Sequence, residues 1–242
     1  MGRHSVETVL RHVDWNLRHC RAEGIVRTLM FIRDASMYSH PAQDEFCCEM
    51  DQSTVWEVFG ELLYHRNGNV RSNTIYTIGR LGCWRRAGLL HRAFPYYLRT
   101  DPINLCGLMR EMRTFNKSGY WARLKQIVEA PHYLHRWSLC SATYEVIGDE
   151  AKNLRRFLEL YERLSKDLHP LVAANARHRC EVFRHAINGA LCNDREDPGR
   201  RLSPSLDFDT LDICFQNAKR PHTLSQLDRF AKSLVETERD KG

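Results

Sequence analysis

Across 242 residues the chain is 43% hydrophobic and 27% charged, with a formal net charge of +6. That length suits one large domain or an extended repeat array, the composition is that of an ordinary soluble protein, and no apolar run approaches the roughly 20 residues that a membrane span needs. The nine cysteines are odd in number, form no CxxC and mostly fall inside apolar helical patterns, so they read as buried thiols in a reducing cytoplasm and not as a disulfide framework.

The first residues, MGRHSVETVLRHVDWN, carry Glu7 and Asp14 and lack the apolar centre of a signal peptide. Val6 stands where a myristoylation motif wants Ser or Thr. Val6, Leu10, Val13 and Leu17 mark one face of a first helix, with His12, Trp15 and His19 opposite as a candidate contact patch. The first 50 residues are expected to be helical and to form an N-terminal cap. Residues 68–82, GNVRSNTIYTIGRLG, place Val70, Thr74, Ile78 and Leu81 on one helix face. Asn69 is the expected N-cap and Gly82 the expected C-cap. Small Thr77 and Gly79 lie where a neighbouring helix can approach. Leu105, Met109 and Met112 repeat the spacing about 35 residues on, then Leu139, Thr143, Val146, Ile147 and Gly148, then HPLVAANARHRCEVF at 169–183. Helix-forming stretches lie between these copies, at 86–99, 117–130 and 149–166. No stretch alternates with period 2, so the chain reads as all-α. Residues 193–205, NDREDPGRRLSPS, are expected to be a polar loop. Two helices, at about 206–218 and 223–238, close the C-terminal part, the second with Ser225 as its N-cap.

The pattern Val70, Arg71, Ile78, Gly79, Leu81 and Gly82 resembles the second helix of a HEAT repeat, with Thr74 replacing the usual small alanine. A spacing of about 34 residues over 51–187 extends the resemblance. A period of 34 also suits tetratricopeptide repeats, but their W-x-x-L-G-x-x-Y pattern is absent. The resemblance implies an α-solenoid (an α–α superhelix) of stacked HEAT-like hairpins, since one hairpin cannot bury its own apolar face. The expected organisation is a repeat array with N-terminal capping helices at 1–192, the loop at 193–205, and C-terminal capping helices at 206–242.

Charge is unevenly distributed along the chain. Residues 1–61 hold 6 bases and 10 acids, residues 62–128 hold 12 bases and the two acids Asp101 and Glu111, and residues 129–242 hold 18 of each. From Leu62 to Thr100 there is no acid, but Arg66, Arg71, Arg80, Arg85, Arg86, Arg92 and Arg99. Arginine's planar fork suits carboxylate and phosphate. The aromatics Tyr64, Tyr76, Trp84, Phe94, Tyr96 and Tyr97 interleave with these bases. Arg71, Arg80, Trp84, Arg85, Arg86, Arg92 and Arg99 are therefore the candidate partner-binding residues; the alternative is that these arginines form a solvated face or pair with acids of the preceding segment.

Catalytic signals are weak. No HExxH, GxSxG, phosphate-binding glycine loop or dinucleotide fingerprint occurs. His178, Glu181 and His185 share a helix face opposite Val172, Ala176, Cys180 and Phe183, a layout that could offer metal ligands but equally suits solvent. Cys47–Cys48 reads as a half-buried pair on a helix. RRLSPS places Ser203 after two arginines, as in a phosphorylation site. Length, period and charge are similar to those of the HEAT-like alkylpurine DNA glycosylases, but the expected tryptophan–aspartate cluster is missing: RTDPINL carries Asp101 with no tryptophan beside it, and Trp121 has no aspartate nearby in sequence. The repeat is also similar to that of HEAT-like bilin lyases. The reading is a cytoplasmic, non-catalytic scaffold that needs no cofactor or metal and holds an acidic protein partner on its central basic surface. The alternative is a nucleic-acid-binding HEAT-like protein.

Overall fold

The computed structural model describes residues 3–36, 46, 48–50, 53–81, 88–115, 117–142, 151–188 and 223–239. Every element among them is an α-helix, as the apolar period requires: α1 Arg3–His19, α2 Ala22–Ala35, α3 Val55–Leu62, α4 Gly68–Leu81, α5 Gly88–Thr100, α6 Pro102–Phe115, α7 Lys117–Val128, α8 Tyr133–Ala142, α9 Ala151–Leu164, α10 Pro170–Ile187 and α11 Leu224–Arg239. The expected loop at 193–205, the helix at 206–218, the Gly82 cap and residues 143–148 lie outside the described residues. No described helix is long and apolar enough to cross a membrane. The chain divides into two compact units. One holds Met1–Tyr97, Gly107–Lys117 and Gln216–Pro221, the other Leu98–Cys106, Ser118–Phe215 and His222–Gly242.

In the first unit α1 packs against α2 and α3, and both α2 and α3 pack against α4. The α1 stripe is buried at Val6, Val13 and Leu17, which leaves Trp15 exposed on the far side. Trp56, Val58 and Phe59 of the short helix α3 are buried to 3% exposure or less, so this helix sits in the core by its apolar content alone. The close approach expected at Thr77 and Gly79 is present at both. Thr77 Oγ1 donates to Asn73 O at 2.8 Å and is 3.3 Å from Leu29 O on α2. A Cβ placed on Gly79 would lie 2.8 Å from Cγ of Glu111 on α6 and closer still to its carboxylate. A side chain at this position would require Glu111 to move.

The start of α4 differs from the expectation by two residues. Asn67, not Asn69, is the N-cap: its Oδ1 accepts from the amides of Asn69 at 2.9 Å and Val70 at 3.2 Å. Asn69 is already helical and receives the Asn73 side-chain amide at its own Oδ1 and carbonyl. Replacing Asn67 with alanine is expected to lower stability by about 1 kcal/mol, whereas Asn69→Ala should cost less than half of that. Paired urea melts check the order. At α11 the cap is likewise Thr223 and not Ser225. Thr223 Oγ1 accepts from the Gln226 amide at 3.3 Å and Gln226 Oε1 accepts from the Thr223 amide at 2.9 Å, a reciprocal capping box.

In the second unit α10 packs against α8 and α9. Val172, Ala176, Cys180 and Phe183 are buried, as their spacing requires. An aromatic cluster of Tyr120, Trp121, Phe157, Tyr161 and Phe183 ties α7, α9 and α10 together. Tyr161 reaches α8, donating to Leu139 O at 2.8 Å.

Side-chain acceptors stand at the entries of α4, α6, α8 and α10. Asn67 caps α4, Asp101 Oδ1 accepts from the Asn104 amide, His132 Nδ1 from the Leu134 amide, and Asp167 Oδ1 from the His169 amide. Four residues after Asn67 and after His132 an arginine reaches back to the end of the preceding turn. Arg71 Nη1 donates to His65 O at 2.5 Å and Arg136 Nη1 to Ala130 O at 2.6 Å.

Candidate partner-binding surface

The acid-free run begins at the end of α3. Tyr64 and Arg66 lie in the turn after α3, Arg80 in the last turn of α4, and Arg92 in α5. All four are exposed, Tyr64 at 46%. Arg66, Arg80 and Arg92 form no ion pair among the described residues. Tyr64 meets the half-buried Tyr96 of α5 edge to face, with ring centres 5.2 Å apart. Tyr96 in turn packs against Tyr97 at 5.3 Å, and the buried Tyr97 hydroxyl donates to Leu63 O at 2.5 Å. The exposed ring is thus held through a chain of contacts to the core. Arg92 lies one helical turn before Tyr96, on the same side of α5. Among the partly buried groups, His65 is held below the ordinary histidine range, first by burial and also by the charges of Arg66 and Arg71.

The other candidate residues fall in different places. Arg71 is 5% exposed, and its guanidinium is committed to His65 O, so it belongs to the packing of the α3–α4 turn and not to an accessible surface. The physical reason is that carbonyls at a helix end need donors, and a guanidinium supplies them without leaving its charge unsolvated by hydrogen bonds. Arg99 is exposed in the last turn of α5. Trp84, Arg85 and Arg86 lie outside the described residues. Of the interleaved aromatics, Phe94 and Tyr97 are core, and the Tyr76 hydroxyl accepts from Arg110 Nη1 at 2.7 Å. Arg66 and Tyr64 meet the criteria that Arg71 does not. Their position beside Asn67 and Gly68, at a turn, was the available signal.

The remaining chemical candidates are also placed. His12, Trp15 and His19 are exposed, with Trp15 stacked on His19 at 5.1 Å and His19 Nδ1 2.8 Å from Trp15 O. Glu181 and His185 are exposed and His178 is half-buried. No group of three potential metal ligands occurs among the described residues. Cys48 is exposed, not half-buried, while Cys106, Cys140 and Cys180 are buried. Burial, above all, pushes the Cys180 thiol up to about 11, the reverse of an activated nucleophile. Cys47 and Ser203 lie outside the described residues. Asp101 is 7% exposed and engaged with Asn104 at the entry of α6. Trp121 is 9% exposed, with the Arg156 guanidinium 4.0 Å over its ring. Both residues named against a base-excision site are therefore occupied in packing. Comparison with protein-family models, curated proteins and solved structures gives no match.

Proposed function

We propose that the chain is a HEAT-like helical-repeat protein, an α-solenoid, whose work is non-catalytic binding: it holds an acidic protein segment on the arginine surface of its first unit. The observation that carries this reading is that Arg66, Arg80 and Arg92 are exposed and form no ion pair among the described residues, in a stretch of sequence without any carboxylate, with the pre-positioned ring of Tyr64 two residues before Arg66. An exposed guanidinium with no internal acid keeps both arms of its fork for an outside carboxylate. Tyr64 supplies an amphipathic ring of the kind that anchors protein contacts, and its edge-to-face partner fixes it before binding. Because that ring is already engaged and more than half covered, it offers a hydroxyl and a partial face, which favours a peptide over a stacked nucleobase.

The repeat reading is supported by contacts that recur at one sequence separation. Tyr97 to Leu63 and Arg110 to Tyr76 both span 34 residues. Stacked repeats bring equivalent positions of successive units together, so contacts at the repeat length are expected of them. The reach-back arginines Arg71 and Arg136, each four residues after a helix-entry acceptor, support the same reading.

The test is fluorescence anisotropy with a labelled aspartate- and glutamate-rich peptide containing one aromatic residue, at about 50 and 200 mM salt. The triple variant Arg66→Gln, Arg80→Gln, Arg92→Gln is expected to bind roughly tenfold more weakly, with an unchanged melting temperature, since three exposed charge contacts are together worth about 0.6–3 kcal/mol. Equal binding by the variant, or none by the natural chain at 50 mM salt, sinks the reading. The acid-free arginine run also supports nucleic acid as an alternative. A single-stranded oligonucleotide bound more tightly than the peptide, with affinity falling steeply and linearly in log salt, would favour it.

A further inference from the structure

A second cluster, in the second unit, plays no part in the proposed binding. Tyr133, the first residue of α8, lies between two imidazoles. His169, at the entry of α10, stacks on its ring with centres 3.5 Å apart and planes 6° apart. His132 stacks at 5.2 Å and 22°. The Tyr133 hydroxyl donates to Asp228 Oδ1 of α11 at 2.8 Å. Among the described side chains of α11 only Leu227 and Ala231 are buried. The hydrogen bond to Tyr133 joins this helix to the entry of α8 beside those apolar contacts.

We propose that the His132–Tyr133–His169 stack and Asp228 form an acid-sensitive clamp, which holds α11 at neutral pH and releases it as the two imidazoles take up protons. The geometry sets the direction. Both histidines stand at helix entries, where the macrodipole disfavours a positive charge. His132 Nδ1 accepts from the Leu134 amide at 3.3 Å, and a proton on that nitrogen would abolish the cap. His169 Nδ1 is buried with no hydrogen-bond partner among the described residues, so a proton there has none of them to donate to. Opening the junction hydrates both rings and removes the burial cost, the part that depends on α11.

The surrounding charges are mixed. Around His169, Asp167 and Asp228 favour the charged ring, while Arg136 and Lys232 oppose it. Around His132, Asp228 favours the charged ring, and Arg136 and Lys232 oppose it. Burial is the largest influence on each ring and holds both below the ordinary histidine range. His135, edge-on to His132 at 6.0 Å, adds a third buried imidazole. The neutral forms are thus favoured while α11 is docked, and the docked state loses ground as pH falls through the ordinary histidine range near 6.5.

Hydrogen exchange of the full chain, corrected for the intrinsic pH dependence of exchange, tests this. Protection of the amides of α11 should fall at least tenfold between pH 7.5 and 5.5, while α4 keeps its protection. His132→Asn retains a capping acceptor and His169→Phe retains a stacked ring, so the double variant should hold α11 equally at both pH values. Tyr133→Phe should lower its protection at pH 7.5 by about fivefold or more, the loss of one hydrogen bond to a charged group. The same pH response in a His135→Leu background separates the clamp from any acid cost at His135. Unchanged protection at pH 5.5, a pH response that survives in the double variant or disappears with His135→Leu, or full protection in Tyr133→Phe at pH 7.5 would each overturn the proposal.

Discussion

Replacing Arg136 with methionine is expected to cost about 3–5 kcal/mol, the largest single-residue loss outside the aromatic core. Its guanidinium makes two bonds to Asp167, Nε to Oδ2 at 2.6 Å and Nη2 to Oδ1 at 3.0 Å, and two to the carbonyls of Ala130 and Pro131 at 2.6 and 3.1 Å. The two side chains are only 17% and 7% exposed, so water has limited access to either partner. Truncating Arg136 leaves the Asp167 carboxylate largely desolvated and without its partner, and frees two carbonyls at the end of the α7–α8 turn as well. Arg136→Lys retains the charge but not the fork, so it should recover only part of the loss. Burial would raise the Asp167 carboxyl, but the hydrogen bonds from Arg136 and from the His169 amide, with the Arg136 charge, outweigh it and hold it below the usual range. A depressed carboxylate contributes stability above its unfolded pKa of roughly 3.9, and that contribution disappears as pH falls through the lower folded value. Urea unfolding at pH 7 of Arg136→Met, Arg136→Lys and Asp167→Asn would check the ranking. A loss below about 1 kcal/mol for Arg136→Met would mean that the pair is solvated and dispensable.

Acidification from pH 7.5 to 4 is expected to remove about 3 kcal/mol of stability through His135 alone. The residue is 2% exposed, and neither ring nitrogen has a hydrogen-bond partner of good geometry among the described residues. Burial first, then the charge of neighbouring His132, pushes the imidazole down from 6.5 to about 4. The His132 backbone and the charge of Asp101 pull the other way without offsetting this. The sign depends on which state binds the proton. The folded chain holds His135 neutral, whereas the unfolded chain protonates it below about 6.5, so stability is intact above that pH. It then falls until about pH 4, where the folded form is protonated too, at roughly 1.4 kcal/mol per unit. His135→Leu removes both the proton site and the two unsatisfied nitrogens. Its urea midpoint should match or exceed that of the natural chain at pH 7.5 and exceed it clearly at pH 4.5. Parallel decline of the two proteins across this range would show that another group governs the acid loss.

Helix positions were readable from the chain because burial needs a periodic apolar face, and that period is local. The stripes of α1 and α10 are set by residues within a few turns of one another. Cap identity was less readable. NGN at 67–69 offers two asparagines, and HTLS at 222–225 offers a threonine and a serine, each competent to cap. Which one is used depends on where the chain turns into the helix, and the structure selects the earlier residue in both cases. Arginine was the hardest residue to read. Arg71 and Arg80 lie nine residues apart on one helix, yet the first is buried against a carbonyl and the second is exposed. The sequence period cannot separate them, because a long cationic side chain is stable in either setting once its donors are satisfied.

The histidine junction lay further from view. The hydrogen bond from Tyr133 to Asp228 spans 95 residues, and His169 falls between them in sequence. Scattered histidines carry no spacing signal when their partners sit on other helices. Arg136 went unread as a reach-back arginine like Arg71 because His135 precedes it, where Val70 precedes Arg71. Sequence by itself determined the all-helical character, the approximate helix positions and the carboxylate-free arginine stretch, because each is a property of neighbours along the chain. Tertiary structure alone decided which arginines stay in solvent, which thiols and imidazoles are desolvated, and that Tyr133 lies between two histidines. Solvation and pairing depend on groups brought together across helices, and no local period records them.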